Sequence, residues 1–237
     1  MKAWTTIESI TTHEGALELR QRGAKDFLIL VGGRVLMSST ASRSEVFLAQ
    51  AACSLLVDSP APKVLIGGLG MGMTLRAALD ALPLAAKVHV VELNPVVERW
   101  CRGPLAPVCG NALADSRVRL ELGDVSHVIA RAAAKRERYD AIIIDLYEGP
   151  NGFTQALDDP FYGPSALRRT HAALQTKGVF AVWGEDPDQR FERRLSGEGF
   201  DFERKISGKG ASLHAVYVAR PRRTTPARGK PKGRRRR

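Results

Sequence analysis

The chain has 237 residues, 44% of them hydrophobic, enough for one large domain or one domain with a small appendage. No apolar run approaches the ~20 residues of a membrane span, and the opening MKAWTTIESITTHEG lacks the apolar core of a signal peptide, so a cytoplasmic protein is expected. The net charge of +11 is uneven: from Arg220 onward there are ten Lys or Arg and no acid, which leaves residues 1–219 at +1.

Residues 3–40 read as strands. Ile7–Thr12, Ala16–Arg20, Phe27–Val31 and Arg34–Ser38 lean towards β structure and are parted by Glu14-Gly15, Arg22-Gly23 and Gly32-Gly33. They predict a small antiparallel region over 1–41. Ser42–Val57 reads as a helix capped by Ser42 or Ser44, with Val46, Phe47, Ala49, Gln50 and Cys53 over its turns and Asp58-Ser-Pro-Ala-Pro62 as its stop.

From residue 63 strands and helices alternate, which signals a parallel α/β sheet, here a Rossmann-like doubly wound domain over 42–219. The predicted strands are Val64–Ile66, Val88–Glu92, Val118–Leu122, Ala141–Asp145 and Val179–Trp183. The helices between them are Gly72–Leu82, one opening at Pro95, one near Ser126–Lys135 and one near Pro164–Gln175. A helix over Arg190–Ser196 and a hairpin turning at Gly208-Lys-Gly210 close the domain. The tail, 220–237, is rich in Pro, Gly and Arg, has almost nothing to bury, and is expected to be disordered. Its cations would give weak contact with nucleic acid, and a solubilising terminus is the plainer alternative.

The first strand of the alternating part runs into Gly67, Gly68, Gly70 and Gly72, four glycines within six residues, and then into a helix. Strand, glycine turn and helix bring backbone amides and a helix N-terminus up to a ligand. A dinucleotide fingerprint would want glycine at 73, where Met73 stands; Gly68-x-Gly70-x-Gly72 is the tighter form of S-adenosylmethionine binders. Glu92 ends the next strand 20 residues after Gly72, the place for an acid that accepts from ribose hydroxyls. Asp124 follows the third strand and suits an adenine amine, a helix N-cap, or both. Asp145 ends the fourth strand, with Tyr147 and Glu148 in the loop after it. Two carboxylates there can attract a cationic amine, orient it and take up its proton as it attacks. Phe153, Phe161 and Tyr162 are candidates to line a substrate pocket, with core packing the competing role for Phe161. The five histidines are scattered and the three cysteines lack ligand spacing, so no metal is expected and the cysteines read as reduced, buried thiols.

Between about Gly33 and Trp183 these motifs resemble, in order and spacing, the spermidine synthase (polyamine aminopropyltransferase) family. VLIGGLGMGMTLRAALD resembles its glycine loop, VHVVELNPVVERW its ribose-binding strand, and RVRLELGDV its adenine segment. YDAIIIDLYEGP resembles its D-x-x-D-P gate, DPFYGPSALR the helix after the gate, and GGRVLMSSTASRSEVFLA, with Glu45, its N-terminal segment. The resemblance implies a methyltransferase-like sheet behind a small β region, a homodimer, and aminopropyl transfer from decarboxylated S-adenosylmethionine to a small amine such as putrescine, with no metal. It places Gly68, Gly70, Gly72, Glu92, Asp124 and Asp145 on the donor, Asp145 and Glu148 in catalysis, and Glu45, Tyr147, Phe161 and Tyr162 on the substrate.

The chain departs from the family where the aminopropyl amine would be held. Met71 stands in place of the loop aspartate, Arg43 and Ser44 replace a Tyr-His pair, Gly149 displaces the gate proline, and Trp183 replaces a glutamine. Methionine cannot neutralise an ammonium, and burying one unpaired is costly. A methyltransferase using intact S-adenosylmethionine is therefore the first alternative. A non-catalytic adenosine- or nucleic-acid-binding protein is the second.

Overall fold

The computed structural model describes residues 2–12, 14–147, 149–151, 158–209 and 212–222. The predicted N-terminal strands form a four-stranded antiparallel sheet of β1 (Thr5–Thr12), β2 (Gly15–Arg22), β3 (Asp26–Val31) and β4 (Arg34–Ser38) in the order β1-β2-β3-β4. Side chains alternate across a strand. Leu17 and Leu19 of β2, with Phe27 and Ile29 of β3, accordingly turn to one face and join the main core. The small sheet is held at its edge as well: the Trp100 indole N–H donates to Glu8 Oε2 at 2.8 Å, and Arg99 pairs with Glu8 Oε1.

α1 (Arg43–Cys53) follows, then β5 (Lys63–Gly67), α2 (Met73–Ala81), β6 (Lys87–Glu92), α3 (Pro95–Arg102), β7 (Val118–Leu122), α4 (Val125–Lys135) and β8 (Tyr139–Ile144). The chain ends its described part with α5 (Pro164–Ala172), β9 (Leu174–Gly184), α6 (Gln189–Gly197), β10 (Phe200–Lys209) and β11 (Ser212–Pro221). The second sheet has seven strands in the order β10-β11-β9-β8-β5-β6-β7. β7, β6, β5, β8 and β9 run parallel, and β11 and β10 close the edge antiparallel.

Both sheet faces are covered, so the central strands are apolar runs: Val64, Leu65, Ile66 and Ala141, Ile142, Ile143 are all wholly buried. Strand alternation divides the core. Val64, Ile66, Ile143 and Ala181 pack with α1, α2, α3 and the small sheet; Leu65, Ile142, Phe180 and Val182 pack with α4, α5 and α6.

Two elements differ from the sequence expectation. β9 begins at Leu174, not Val179, and α5 stops at Ala172, because Leu174 pairs with Tyr139 at the foot of the sheet. α1 ends at Cys53, runs on as a 3-10 turn over Ser54–Leu56, and buries a face of Ser44, Glu45, Leu48, Ala49, Ala52 and Cys53. Its polar N-terminal turn therefore faces inward, where a fit to apolar residues alone had put Val46 and Phe47.

After β5 the chain moves to β6 and β7 on one side, then crosses back to β8 on the other. The strand order reverses between β5 and β8, and in such sheets ligands sit outside the carboxyl ends of the strands at that switch point. Gly68 leaves β5 there and Asp145 leaves β8.

Candidate active site

Gly68 has φ +91°, and a Cβ on it would lie 2.2 Å from the Asp145 carbonyl oxygen. Only glycine can pass that close to the neighbouring strand end in that conformation. The turn is tied on both sides: Gly68 N donates to Val91 O at 2.9 Å and Asp145 N donates to Gly67 O at 2.9 Å. Above it, a Cβ on Gly70 would meet the Met37 sulfur at 2.5 Å, so β4 of the small sheet roofs the loop. Met71 is fully buried in the apolar cluster of the same face.

Glu92 sits under the turn. Its Oε2 accepts from Leu69 N at 2.9 Å and its Oε1 from Asn94 N at 2.8 Å. Burial pushes its pKa up, and the backbone N–H groups of Asn94, Leu69, Leu93 and Gly70 pull it back. These amides tie the carboxylate to the turn and to the start of α3. Asp124 caps α4, its Oδ1 accepting from Ser126 N at 2.7 Å. The sequence had left capping and adenine contact both open, and the capping geometry leaves Oδ2 over.

Asp145 is half-buried at the end of β8. The Thr74 hydroxyl of α2 donates to its Oδ2 at 2.5 Å, and the Glu45 main-chain carbonyl is 3.4 Å from the same hydroxyl oxygen. The Glu45 carboxylate accepts from the Ser44 hydroxyl at 2.6 Å. Burial, helped by the negative charge of Glu45, pushes the Asp145 pKa up to about 7, with the Thr74 hydrogen bond opposing. A carboxylate poised at that value suits a general base at neutral pH.

On the other side of Asp145, the Tyr162 side chain is buried, edge-on to Phe191 with ring centroids 5.7 Å apart. Its hydroxyl has no hydrogen-bond partner among the described residues. Burial, then Asp159 and Asp145, raise its pKa. Phe161 packs at the edge of this cluster, in keeping with the core role weighed for it. Tyr147 is on the rim: its ring is exposed, with the Arg34 guanidinium 5.7 Å from the ring centroid. The fold thus gathers Gly68, Gly70, Gly72, Glu92, Glu45 and Asp145 around one switch point and leaves Tyr147 at the surface. Glu148 and Phe153 lie outside the described residues.

Two participants have no role in the sequence motifs. Thr74, in the first turn of α2, joins Asp145 to Glu45. Asp159 accepts from Phe161 N at 2.8 Å and Tyr162 N at 2.6 Å, fixing the aromatic turn. An acid two or three residues ahead of an aromatic pair is the available signal for Asp159. Thr74 has none, because its partners are distant in sequence. Among the described residues no group of three or more His, Cys, Asp or Glu is placed to hold a metal ion, and all three cysteines are free and buried. No described helix is long and apolar enough to cross a membrane.

Sheet order, glycine turn and strand-end acids define the class: a Rossmann-like, methyltransferase-like α/β fold. Within that class the chain is similar to spermidine synthases and related transferases. It shares 31% identity over 133 residues with a polyamine aminopropyltransferase of Clostridium tetani, covering 56% of this chain and 44% of that one. It is 34% identical over 123 residues to a putrescine N-methyltransferase of Nicotiana tabacum, covering 52% of this chain and 32% of that one. These matches span less than half the length of either relative. No protein-family model matches the chain. Among solved structures, spermidine synthase from Thermotoga maritima superposes over 90% of this chain and 72% of its own, with TM-score 0.69 and 19% identity. A spermidine synthase in complex with the transition state analogue AdoDATO gives TM-score 0.68 at 18% identity, over 90% of this chain and 71% of that one.

Proposed function

We propose that this protein is a transferase that moves an aminopropyl group from decarboxylated S-adenosylmethionine to a small polyamine such as putrescine. The observation that carries this reading is Asp145, a carboxylate with a pKa near 7 held between Thr74, Glu45 and the glycine turn. In this reading the Gly68–Gly72 turn, Glu92 and Asp124 hold the adenosine. The fit is chemical: a glycine turn that admits close approach, a strand-end acid beside it, and an Asp124 carboxylate oxygen left over from the helix cap. Asp145 and Glu45 attract the ammonium of the acceptor, and Asp145 takes its proton as the amine nitrogen attacks the carbon beside sulfonium. Glu148 is proposed to assist, and Tyr162, Phe161 and Tyr147 to border the acceptor. Positioning and exclusion of water supply most of the rate in such a displacement, since the residues form no covalent bond. A cytoplasmic homodimer is part of the proposal.

Met71 favours a second reading, methyl transfer from intact S-adenosylmethionine to the same class of amine. The side chain is apolar and fully buried where the resemblance would put a carboxylate for the aminopropyl ammonium. Putrescine N-methyltransferases stand beside the aminopropyltransferase among the similar proteins. Calorimetry separates the two: the first reading expects decarboxylated S-adenosylmethionine to bind more tightly than the intact donor, and the opposite preference would replace it with the second.

A further inference from the structure

The turn that opens α5 holds two buried polar atoms that the fold leaves without partners. Asp159 and Tyr162 are each 4% exposed, and Asp159 Oδ2 and the Tyr162 hydroxyl have no hydrogen-bond partner among the described residues. The other carboxylate oxygen, Oδ1, is committed to Phe161 N and Tyr162 N, and Gly163 N donates to the Asp159 carbonyl at 3.2 Å. The side chain is therefore held in place with one oxygen spare. Leaving a buried polar group unpaired costs free energy, and a carboxylate costs more than a neutral group. Folds keep few such groups, and a ligand that completes them is one reason to keep them.

Topology puts this turn at the active end of the sheet. α5 is the crossover between the parallel strands β8 and β9, so it begins where β8 finishes, at the carboxyl ends of the strands. Asp145 leaves β8 at the same end. The Tyr162 ring is fixed edge-on to Phe191 at 5.7 Å and tilted against Phe161 at 6.0 Å. Its hydroxyl feels the charges of both Asp159 and Asp145, so two carboxylates lie close to one unpaired hydroxyl. Asp145 already has the Thr74 hydroxyl on its Oδ2, whereas Asp159 Oδ2 has nothing.

A cationic amine is the ligand these atoms suit. An ammonium has three N–H donors and no acceptor, and a carboxylate oxygen and a phenol oxygen can each accept one of them. In the proposed reaction Asp145 and Glu45 face the nitrogen that attacks. A second ammonium carried into the same pocket needs its own acid, because burying it unpaired is costly. We infer that Asp159 Oδ2 and the Tyr162 hydroxyl form the subsite for that far, non-reacting ammonium, so that the protein selects a diamine or longer polyamine over a monoamine. The subsite rests on the amine-transferase reading of Asp145 and is the same for either donor. A monoamine would leave Asp159 Oδ2 bare, and a site built to bond a polar group rejects analogues that lack it.

The test compares putrescine with 1-aminobutane, which keeps the carbon chain and lacks the second amine. Both are assayed with either donor, and each is titrated by calorimetry into the full chain saturated with methylthioadenosine. The parent should prefer putrescine. Asp159→Asn keeps an acceptor for the two turn amides and puts a donor in place of Oδ2. Its preference in kcat/KM should fall about 10- to 100-fold, the usual loss of a hydrogen bond to a charged group, and the change should lie in KM. Tyr162→Phe should lower the preference about fivefold. A purely structural loss would weaken both amines alike, and Asp158→Asn, on the exposed neighbour, should keep the parent's preference. If both amines are transferred and Asp159→Asn keeps the parent's preference, or the parent has none, the subsite is overturned and the transferase reading stands. If neither amine is transferred, that reading falls and calorimetry decides the subsite: tighter putrescine in the parent alone supports it, and equal or absent affinities overturn it.

Discussion

Thr74 and Asp145 lie 71 residues apart in the chain, yet the threonine hydroxyl sits 2.5 Å from the aspartate Oδ2. This bond ties the first turn of α2, at the end of the glycine loop, to the end of β8. It thereby couples the part of the site proposed to hold the donor to the carboxylate proposed to receive the proton. The Glu45 carbonyl, 3.4 Å from the same hydroxyl, brings α1 into the link.

If Asp145 is the base, Asp145→Asn keeps the shape and removes the proton acceptor. Turnover should fall by roughly 100- to 10,000-fold, the usual contribution of general base catalysis. Affinity for methylthioadenosine, measured by calorimetry, should stay within about threefold, since Glu92 and the glycine turn hold the nucleoside. A variant that turns over normally would remove Asp145 from the chemistry.

The raised pKa makes two pH predictions. Because Asp145 is ionised only above about 7, kcat should fall as pH drops through that value, and Asp145→Asn should lose this limb of the profile. For stability the sign is opposite to that of a salt-bridged acid. The folded protein holds this proton between the ordinary aspartate value of 3.8 and about 7, where the unfolded chain has released it. This group's contribution is therefore full below 3.8 and is lost as pH rises to about 7. Denaturant melts of parent and Asp145→Asn should diverge across that window, the parent losing more stability with rising pH.

Glu92 holds two loop amides, so Glu92→Ala should act on both binding and fold. Unpaired buried amides cost about 1–3 kcal/mol each, which for two amides predicts a stability loss on the order of 2–6 kcal/mol. Loss of the ribose acceptor should weaken methylthioadenosine binding by about 100-fold or more. Glu92→Gln keeps one acceptor and should fall between parent and alanine variant. Calorimetry with all three proteins checks the order.

Gly68→Ala tests the close approach of the two strand ends. At φ +91° a Cβ meets the Asp145 carbonyl, and strain of about 1–3 kcal/mol is expected before the strand end moves. A lower Tm together with a loss of turnover greater than that of binding would show that Asp145 had been displaced. Unchanged values would mean the loop tolerates a side chain there.

Much of this was legible because it is local. Val64–Ile66 running into Gly68, Gly70 and Gly72 marks a buried strand turning into a helix, and Glu92 and Asp145 can be read from their places at strand ends. Asp124 as a cap follows from a short acid ahead of a helical run. What the sequence did not carry is contact across long separations. The links from Thr74 to Asp145 and from Glu8 to Trp100 join distant segments with no shared periodicity. The inward face of α1 does not follow from its apolar residues: Ser44 and Glu45 are buried with Leu48, Ala49, Ala52 and Cys53, and only the resemblance points to Glu45. The start of β9 at Leu174 depends on Tyr139, which no local pattern around residue 174 reveals.

The central claim is transfer of an aminopropyl group from decarboxylated S-adenosylmethionine to an amine, and the most direct measurement is the identity of the thioether product. Purified protein is given putrescine with either decarboxylated or intact S-adenosylmethionine, and the products are separated by mass. Methylthioadenosine and spermidine are expected from the decarboxylated donor, at a rate that depends on Asp145. S-adenosylhomocysteine and N-methylputrescine from the intact donor, with none of the first pair, would contradict it.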